Sequence, residues 1–553
     1  MSRQSLNCIV AFALSALTLI GCHPDDKDPK GQAGDLGDPV RREFALGRLQ
    51  SIFSERLSNA KGDRSQAPLK EFADVTYEAL VKTYIEHPED TQNGLRILSL
   101  LNEMRDPRAL PALLKALDWT AEVTEDHAVT AALTMTEIEI PTDKRGEVVA
   151  AICKALSRID GARGNDNRMR KSFIEVLGKL KDRRATDTLV KIALKRDASQ
   201  NFLFNILAAQ QLVAIADPAA VPALIKALYW FDMNNPAMRM NDVATSALIA
   251  LGEVTLAPLI KVLRGEDAEA NDIVKLYIEA IKQKDSDAAA KMNPRAVISA
   301  EATFTLGKLG MHGALDALVE ESKADDETRR FGAAIALVSL TRTPEDTPRI
   351  IAELKRVYGS LKKEMRPQLL VAMRHMYAPE LMPFFMDVIK TKEDELPPIR
   401  LYAFQAYAML ANKGEMAALK AIFDKDELFK EQLIDHAPLF PLADECDENV
   451  ACWSKKLADS NKIVLRKATS MLARYGHGTD VALHALIQLF GHRDLEVRNE
   501  ALGAVDSIAT KGSKEALDKI DQLEIMEGGR SIWTNFKREA LPTRSRLAMR
   551  AAH

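Results

Sequence analysis

The chain has 553 residues and a formal net charge of -4, with 75 Lys and Arg residues set against 79 Asp and Glu residues. Hydrophobic residues make up 47% of the sequence and aromatic residues only 6%, a balance that favours many small helix–helix contacts over sheets. A single hydrophobic core stops growing near roughly 250–300 residues, so the chain holds several domains or one extended array. It has no long basic block that could displace counterions from a phosphate backbone, which argues against a nucleic-acid partner.

The first 22 residues have the form of a secretion signal. Arg3 is followed by an apolar run from Leu6 to Ile20, which is shorter than the roughly 20 residues that a membrane-spanning helix needs. The run ends in Leu19-Ile20-Gly21-Cys22, a sequence that resembles the lipobox of bacterial lipoproteins. The resemblance implies cleavage before Cys22 by signal peptidase II and a diacylglycerol on the Cys22 sulfur. A plain signal peptide or an uncut anchor with an incidental cysteine is the alternative.

We therefore predict a signal peptide at residues 1–21 and a lipidated, flexible tether at residues 22–39. The tether is rich in Asp, Gly and Pro, so it cannot bury a core. Two or more acyl chains on Cys22 would anchor it stably. The resemblance to bacterial lipoproteins also suggests an address: the residue after Cys22 is His23 and not an inner-membrane retention residue such as Asp. This favours the outer membrane, on its periplasmic face or at the cell surface.

One motif is repeated almost verbatim along the chain. DPRALPALLKALDW at Asp106–Trp119 returns as DPAAVPALIKALYW at Asp217–Trp230. Weaker copies begin at Asp182, Glu253, Met311, Ala378, Gly478 and Gly512, and a second motif precedes many of them, beginning at Met169, Ile298, Arg329, Ile399 and Val497. Both motifs have small or apolar residues at i, i+3, i+4 and i+7, which indicates helices that pack on one side. Pro111 and Pro222 are expected in the first turn of their helices.

The alternation of the two motifs predicts units of helix, short turn and helix that form a core only by stacking. The motifs resemble HEAT repeats, particularly the subclass similar to phycobilisome-lyase repeats. The predicted fold is all-α: an α-solenoid of stacked antiparallel helix pairs, a HEAT-like superhelix, over residues 67–523. An N-terminal helical lead-in is predicted at residues 40–66 and a C-terminal cap or tail at residues 524–553.

The resemblance to HEAT repeats also implies an Asp and an Arg at fixed places, which form a ladder between neighbouring units. The matching pairs are Asp166 with Arg170, Asp326 with Arg330, and Asp494 with Arg498. Their i, i+4 spacing also suits an ion pair on a helix surface. Ser299 and Asn241 occupy the Arg position in two other units, so a continuous ladder is not expected.

Two cysteines lie close together in the acidic segment DECDENVACW. Secretion would place Cys446 and Cys452 in an oxidising compartment, so we predict a disulfide between them. A redox-active pair or a metal site is less favoured, because the spacing is not Cys-x-x-Cys and no second ligand pair lies nearby. Cys153 is interpreted as a small core residue.

The sequence offers little that is typical of catalysis. His477, His484 and His492 form the one cluster of histidines, but without the His-Glu-x-x-His spacing of a zinc site. No nucleophile elbow, phosphate-binding loop or dinucleotide fingerprint is found in the sequence. We therefore expect no metal, no cofactor and no enzymatic activity.

Two long turns follow the matched tryptophans, at Trp119–His127 and Trp230–Asp242. Insertions at equivalent positions project from the same edge of a solenoid, and the second turn carries an aromatic, Met and Arg set that is enriched at protein interfaces. The candidate partner-binding residues are Trp119, Trp230, Phe231, Met233, Met238, Arg239 and Met240. The alternative is that these side chains cap the local core. The segment Arg264–Arg295 is predicted to add an amphipathic helix with Ile273, Leu276, Tyr277 and Ile281 on its inner stripe.

These features together predict a lipid-anchored extracytoplasmic scaffold that binds another protein or a peptide in a bacterial cell envelope. An array of repeats spreads contacts over many units and has no preorganised catalytic centre. The alternative is a lyase-like or other enzyme, because some related repeat proteins attach or release chromophores. That alternative requires a deep pocket with convergent polar groups and a titrating residue whose pKa is perturbed.

Overall fold

The structure, a computed structural model of the chain, describes residues 27–119, 125–159, 164–196, 200–340, 345–392, 395–430, 436–526 and 531–552. The predicted signal peptide, Cys22 and the first part of the tether lie outside these residues. The described part of the chain is helical, and it contains no strand beyond one isolated bridge between Phe231 and Arg239. The predicted all-α class is confirmed.

The chain divides into two compact units. Unit 1 takes its residues from 1–192 and 199–215, and unit 2 from 193–198 and 216–553. The α-helices of unit 1 are α1 (Pro29–Gly34), α2 (Arg42–Asn59), α3 (Ala67–Glu86), α4 (Thr91–Met104), α5 (Leu110–Ala116), α6 (Glu125–Glu137), α7 (Arg145–Ser157), α8 (Gly164–Leu180), α9 (Thr186–Ala193) and α10 (Leu203–Ile215).

Unit 2 continues the same alternation of longer and shorter helices. Its α-helices are α11 (Val221–Ala227), α12 (Asn241–Leu251), α13 (Leu256–Leu263), α14 (Ala268–Lys284), α15 (Ser286–Ala290), α16 (Pro294–Leu309), α17 (Leu315–Glu321), α18 (Glu327–Val338), α19 (Asp346–Ser360), α20 (Arg366–Arg374), α21 (Met382–Lys390), α22 (Pro397–Leu410), α23 (Lys413–Phe423), α24 (Glu427–Lys430), α25 (Leu439–Cys446), α26 (Val450–Lys456), α27 (Lys462–Tyr475), α28 (Asp480–Gln488), α29 (Leu495–Ile508), α30 (Lys514–Met526) and α31 (Ser531–Ala552).

Corresponding helices of successive pairs pack side by side within each unit. In unit 1, α4, α6, α8 and α10 contact one another in order, and in unit 2 α16 packs on α18 and α27 packs on α29. A helix pair cannot bury its apolar stripe alone, so each pair takes its core from its neighbours. Each unit is therefore an α-solenoid, as the repeats predict.

The repeated Asp builds the turn between the two helices of a pair. The carboxylates of Asp106, Asp182 and Asp217 accept hydrogen bonds from the backbone N–H two residues later, at 2.9, 3.0 and 3.1 Å. Each bond caps a short 3₁₀ turn that leads into α5, α9 or α11. Pro111 and Pro222 lie in the first turn of α5 and α11, as predicted.

The residue before each capping position has a left-handed backbone. Arg105, Lys181 and Tyr377 have φ values of 54°, 53° and 54°. Gly310 occupies the same position in its own helix pair, with a φ of 69°. A left-handed conformation costs a residue with a Cβ about 1–2 kcal/mol, whereas glycine adopts it freely. The repeats therefore carry strain at a fixed position.

We expect Lys181→Gly to stabilise unit 1 by about 0.5–1 kcal/mol, because the relief at φ 53° exceeds the backbone entropy that glycine loses on folding. Urea denaturation measures the change. Lys171→Gly, inside α8, is the matched control and should destabilise by about 1 kcal/mol. Equal effects of the two substitutions would contradict the prediction.

The segment after α13 differs in detail from its prediction. It forms α14 and the short α15, and α14 buries Ala270, Ile273, Val274 and Ala280. Leu276, which was predicted on the inner stripe, is 45% exposed. The prediction was wrong for Leu276 because, although it lies three residues after the buried Ile273, it is at the solvent-facing margin of the stripe that is centred near Ala270.

One described stretch, Asn241–Leu263, has the length and mean hydropathy, 1.8, of a membrane-spanning helix, and 44% of it is buried. The structure divides it into α12, a 3₁₀ turn at Gly252–Thr255 and α13. Gly252 ends α12 with a φ of 69°. The stretch is therefore one helix pair of the stack, and its apolar character reflects burial between repeats.

Candidate functional site

The two matched tryptophans are each covered by an arginine of their own unit. In unit 1, the Arg158 guanidinium lies 4.1 Å from the centre of the Trp119 ring, and Arg158 donates to the Trp119 carbonyl at 3.0 Å. In unit 2, the Arg196 guanidinium lies 4.2 Å from the centre of the Trp230 ring. Cation–π contacts of this kind fix both groups in place, but the arginine follows its tryptophan in the chain in one case and precedes it in the other.

The loop after Trp230 folds onto its own unit. Trp230, Phe231 and Met240 are buried, and the Phe231 ring meets the edge of the Tyr277 ring with centres 5.2 Å apart. This is the alternative role that the sequence allowed, a cap on the local core, and it leaves these three side chains little surface for a partner.

Arg239, Met238 and Met233 belong to the same loop. Arg239 forms an ion pair with Glu301 at 2.8 Å, Met238 is half-buried, and Met233 is 52% exposed. Burial raises the pKa of Glu301 even though Arg239 opposes this effect. Partner binding at this loop and at Trp119 stays a prediction, and Met233 is the residue best placed for it.

The arginines of the predicted Asp and Arg pairs share one kind of partner. Arg170 donates to the carbonyl of Ile159 at 3.3 Å, Arg330 to that of Ala324 at 2.9 Å and Arg498 to that of His492 at 2.7 Å. Each carbonyl belongs to the segment before the helix that carries the arginine. The arginines therefore join a helix to the preceding turn.

The aspartates at these positions act as helix caps, and some of them also link neighbouring pairs. Asp326 accepts from the Arg329 N–H and Asp494 from the Glu496 and Val497 N–H groups, while Asp166 is buried. Lys462 of the preceding long helix binds Asp494 at 3.1 Å. In unit 1, Arg42 binds the capping Asp90 at 2.8 Å. At these two places a basic residue of the preceding long helix binds the capping Asp of the next one, a contact that the i, i+4 spacing alone did not reveal.

The predicted cysteine pair lies between α25 and α26. Cys446 and Cys452 form a disulfide with their Cα atoms 5.3 Å apart. Glu445 lies beside the two sulfurs, but disulfide-bonded sulfurs offer no thiolate to a metal ion. The next residue, Trp453, is fully buried and donates its indole N–H to the Asp447 carbonyl at 2.6 Å.

The three clustered histidines have different surroundings. His484 Nδ1 lies 2.6 Å from the Glu515 carboxylate, and His492 Nδ1 accepts from the Asp494 N–H at 3.0 Å. His477 lines a cavity that is described below. The structure therefore gives these residues separate roles.

His127, at the end of the first long turn, is buried inside unit 1. Its Nε2 lies 2.9 Å from the Thr91 carbonyl and its Nδ1 lies 3.0 Å from the Tyr84 hydroxyl. A neutral ring satisfies both contacts when Nε2 carries the proton. Burial lowers the pKa of His127, and the bond to Thr91 offsets only part of this effect.

We expect the stability of unit 1 to fall as the pH drops below about 6.5, because the unfolded His127 takes up a proton there and the folded one does not. The slope from this residue is at most about 1.4 kcal/mol per pH unit. Urea denaturation at pH 7.5 and pH 5.5 measures it. His127→Gln should remove that slope and the exposed His484→Gln should keep it, so equal slopes in the two variants would contradict the prediction.

The C-terminal helix is the feature that the sequence analysis missed. The predicted cap or tail contains α31, which packs within unit 2 against α12, α16, α29 and α30. Its Ser545 hydroxyl donates to the carbonyl of Ile249 at 2.8 Å, across 296 residues of sequence. The last helix therefore connects the first pairs of unit 2 with the last ones. We name its docking surface the helix-end groove: the C-terminal ends of α12 (residues 249–252), α16 (306–310) and α29 (506–512).

Two arginines of α31 bind the helix-end groove through Asp506. Arg546 Nε lies 2.8 Å from the Asp506 carboxylate and an Arg550 nitrogen 3.1 Å from it, with all three side chains largely buried. Arg546 also donates to the Lys308 carbonyl, and Arg550 donates to the carbonyls of Asp506 and Ala509 at 2.7 and 3.3 Å. These carbonyls end α16 and α29, where the helix dipole is negative.

Glycines allow α31 to approach the groove closely. A Cβ on Gly310 would lie 2.7 Å from Arg546 Cδ, and a Cβ on Gly512 would lie 2.7 Å from the Leu547 carbonyl oxygen. A Cβ on Gly252 would lie 3.2 Å from the Met549 sulfur. Leu547 is completely buried at this contact.

Two cavities flank α31 in unit 2. One, of about 930 Å³, lies between Leu541, Met549 and the turns at Gly252 and Gly310. The other, of about 700 Å³, is lined by polar groups that include Arg546 and Arg550 together with His375, His477 and Arg474. Burial, and then the positive charge of Arg374, lower the pKa of His375 to about 4.

Comparison with known proteins identifies one repeat and a set of distant folds. The family model for the PBS lyase HEAT-like repeat matches residues 206–229. No curated protein matches the chain. The karyopherin Kap121p bound to the SUMO protease Ulp1p is similar over 98% of this chain and 76% of that chain, with 13% identity and a TM-score of 0.41.

Two further solved structures are similar at low sequence identity. Kap121p bound to Nup53p is similar over 96% of this chain and 55% of that chain, with 11% identity and a TM-score of 0.41. An engineered protein is similar over 79% of this chain and 98% of that chain, with 18% identity and a TM-score of 0.24. The prediction of HEAT-like repeats of the PBS lyase type is confirmed at residues 206–229.

Proposed function

We propose that the protein is a lipid-anchored extracytoplasmic scaffold of a bacterial cell envelope whose solenoid binds another protein or a peptide. The observation that supports the binding of a partner is the docking of α31 in the helix-end groove, where unit 2 binds a helix through Asp506 and the ends of α16 and α29. Binding of a helix in a groove is a recurring mode of protein recognition. A solenoid also spreads such contacts over several repeats.

The lipid anchor is tested at Cys22. Cells expressing the full chain are labelled with a fatty acid, and the protein is recovered from the membrane and soluble fractions. We expect label and membrane association in the wild type and in Cys8→Ser, and neither in Cys22→Ser, because two or more acyl chains are needed for stable anchoring. Label on the Cys22→Ser variant, or an unlabelled wild type, would contradict the anchor.

Partner binding is tested by site-specific photo-crosslinking in the cells that make the protein. A photoreactive residue replaces Met233, which is 52% exposed on the loop of unit 2, or Val481, which is 60% exposed on α28, as a control. A discrete protein adduct at Met233 that is missing at Val481 supports the scaffold. Absence of any adduct, together with turnover of a small molecule, would favour an enzyme.

The cavity of about 700 Å³ is the observation that favours the second candidate, a lyase-like enzyme. Its polar lining and its histidine of lowered pKa are the features that this candidate requires. Its charged groups, however, already have partners: Arg474 donates to Glu415, outside the cavity, at 2.6 Å, and Asp506 is held by Arg546 and Arg550. A chemical change in a linear tetrapyrrole incubated with the protein, lost in His375→Ala, would favour the enzyme.

A further inference from the structure

We propose that the helix-end groove is a receptor for an arginine-bearing amphipathic helix of a partner protein, and that α31 occupies it as a displaceable intramolecular ligand. This inference rests on the proposed function and names the class of partner and the site. It commits to one chemistry, a helix with two arginines at i, i+4 and an apolar residue beside them, because Arg546, Leu547 and Arg550 make the contacts that define the groove.

The charge of the groove selects arginine. The C-terminal ends of α12, α16 and α29 converge on α31, and each helix end carries roughly half a negative charge on its unsatisfied carbonyls. Asp506 adds a full charge between the two guanidinium groups, at 2.8 and 3.1 Å. Guanidinium donates in several directions at once, so one Arg binds both a carboxylate and a helix end, as Arg546 and Arg550 each do.

The shape of the groove selects a helix that presents a small face. Gly310 and Gly512 leave no room for a Cβ at the contact, because a Cβ there would lie 2.7 Å from atoms of α31. Leu547 is completely buried while Ala548 and Met549 are partly exposed. A partner helix therefore needs one apolar anchor between its two arginines, and small residues where Ala540, Thr543 and Ser545 contact unit 2.

The packing around α31 suits a ligand that can leave. Clefts of about 930 and 700 Å³ that are partly open to solvent border this helix, so its sides are only partly packed against the repeats. A tethered segment competes at an effective concentration in the millimolar range, so a partner must bind more tightly or arrive with further contacts. The unfilled space beside α31 offers such contacts to a larger partner helix.

The test uses the full chain and a fluorescent peptide with the sequence of residues 539–553, EALPTRSRLAMRAAH. The substitutions Arg546→Glu and Arg550→Glu in the chain release its own helix, so fluorescence anisotropy should show the peptide binding at least about tenfold more tightly than to the wild-type chain. Adding Asp506→Asn to the released chain should weaken this binding by about tenfold or more. A peptide carrying both Arg→Glu substitutions should not bind the released chain.

The matched control is Arg349→Glu, which reverses a charge in an exposed pair with Asp316 at 2.8 Å on another surface of unit 2. This variant should bind the peptide no better than the wild type. Equal peptide binding by the control and the released chain, or binding that is insensitive to Asp506→Asn, would overturn the receptor assignment.

Hydrogen exchange of the wild-type chain gives a second measurement that does not depend on a substitution. The amides of α31 should exchange faster than those of α29, and excess peptide should speed their exchange further because it displaces the helix. Equal protection of α31 and α29, unchanged by peptide, would show a permanent strut and overturn the proposal. If the Met233 crosslink nevertheless finds a partner, the scaffold function stands and only this inference fails.

Discussion

Glu500→Gln should lower the free energy of unfolding of unit 2 by about 3–5 kcal/mol, because it leaves a buried arginine without its counter-charge. Glu500 lies on α29 and is buried, and its Oε1 accepts from Arg374 at 2.8 Å and from Arg466 at 2.7 Å. Arg374 is equally buried, and its charge cannot be resolvated in place. Urea denaturation followed by circular dichroism measures the loss.

Glu496→Gln is the matched control for this prediction. Glu496 lies one turn earlier on the same helix, and its carboxylate is 61% exposed where it meets Lys462 and Arg466 at 2.7 and 3.6 Å. Exposed ion pairs contribute about 0–1 kcal/mol, so this variant should stay close to the wild type. A loss of similar size in the two variants would contradict the prediction, because the buried ion pair with Arg374 would then stabilise unit 2 no more than an exposed pair does.

The ion pairs of Glu500 also make the stability of unit 2 depend on pH in the acid range. Burial raises the pKa of Glu500, but the charges of Arg374 and Arg466 outweigh it and hold the pKa below its usual range. A carboxyl whose folded pKa is lowered contributes stability that is present above its unfolded pKa, about 4.3, and is lost as the pH falls through the folded value. The wild type should therefore lose stability below about pH 4.3 more steeply than Glu500→Gln does.

Trp453→Ala should destabilise unit 2 by about 3–5 kcal/mol, the usual cost of removing a large aromatic side chain from a core. Trp453 is fully buried beside the Cys446–Cys452 disulfide, its indole donates to Asp447 at 2.6 Å, and the Lys467 ammonium lies 5.8 Å from the ring centre. The midpoint of thermal unfolding reports the loss.

Tyr402→Ala provides the comparison for Trp453, because Tyr402 is an aromatic residue of α22 that is 41% exposed. It should cost less than about 1 kcal/mol, as surface substitutions generally do. Reduction of the disulfide should cost about 2 kcal/mol and should add less than this in Trp453→Ala, since residues in contact are not independent. Full additivity would show that the disulfide and the tryptophan stabilise separate parts of unit 2.

The fold could be predicted because its information is local. The copies at Asp106 and Asp217 carry the cap, the proline and the apolar spacing of one helix pair, and the structure repeats that pair in each unit. Local spacing also supported the prediction of the disulfide, since its cysteines lie six positions apart. The buried face of α14 was predicted less well, because Leu276 lies close enough to the apolar stripe that the sequence pattern includes it.

The candidate site could be predicted only in part, because its contacts are distant in sequence. The loop at Trp230 was found by its composition, yet the side chains that made it notable are mostly buried. The helix-end groove was missed, since the contact of Ser545 with Ile249 spans 296 residues. The spacing of Arg546 and Arg550 marks one face of a helix, but helix dipoles and missing Cβ atoms become visible only when the three helix ends are brought together.

The contacts of α31 with the first and last pairs of unit 2 affect how this unit unfolds. Repeat arrays with free ends lose their terminal repeats first and loosen one neighbour at a time. Because α31 contacts both α12 and α29, neither of these helices can unfold without losing its contacts with α31. While α31 is docked, unit 2 should unfold in one cooperative transition. When α31 is displaced, the same repeats should unfold one after another, starting from the ends.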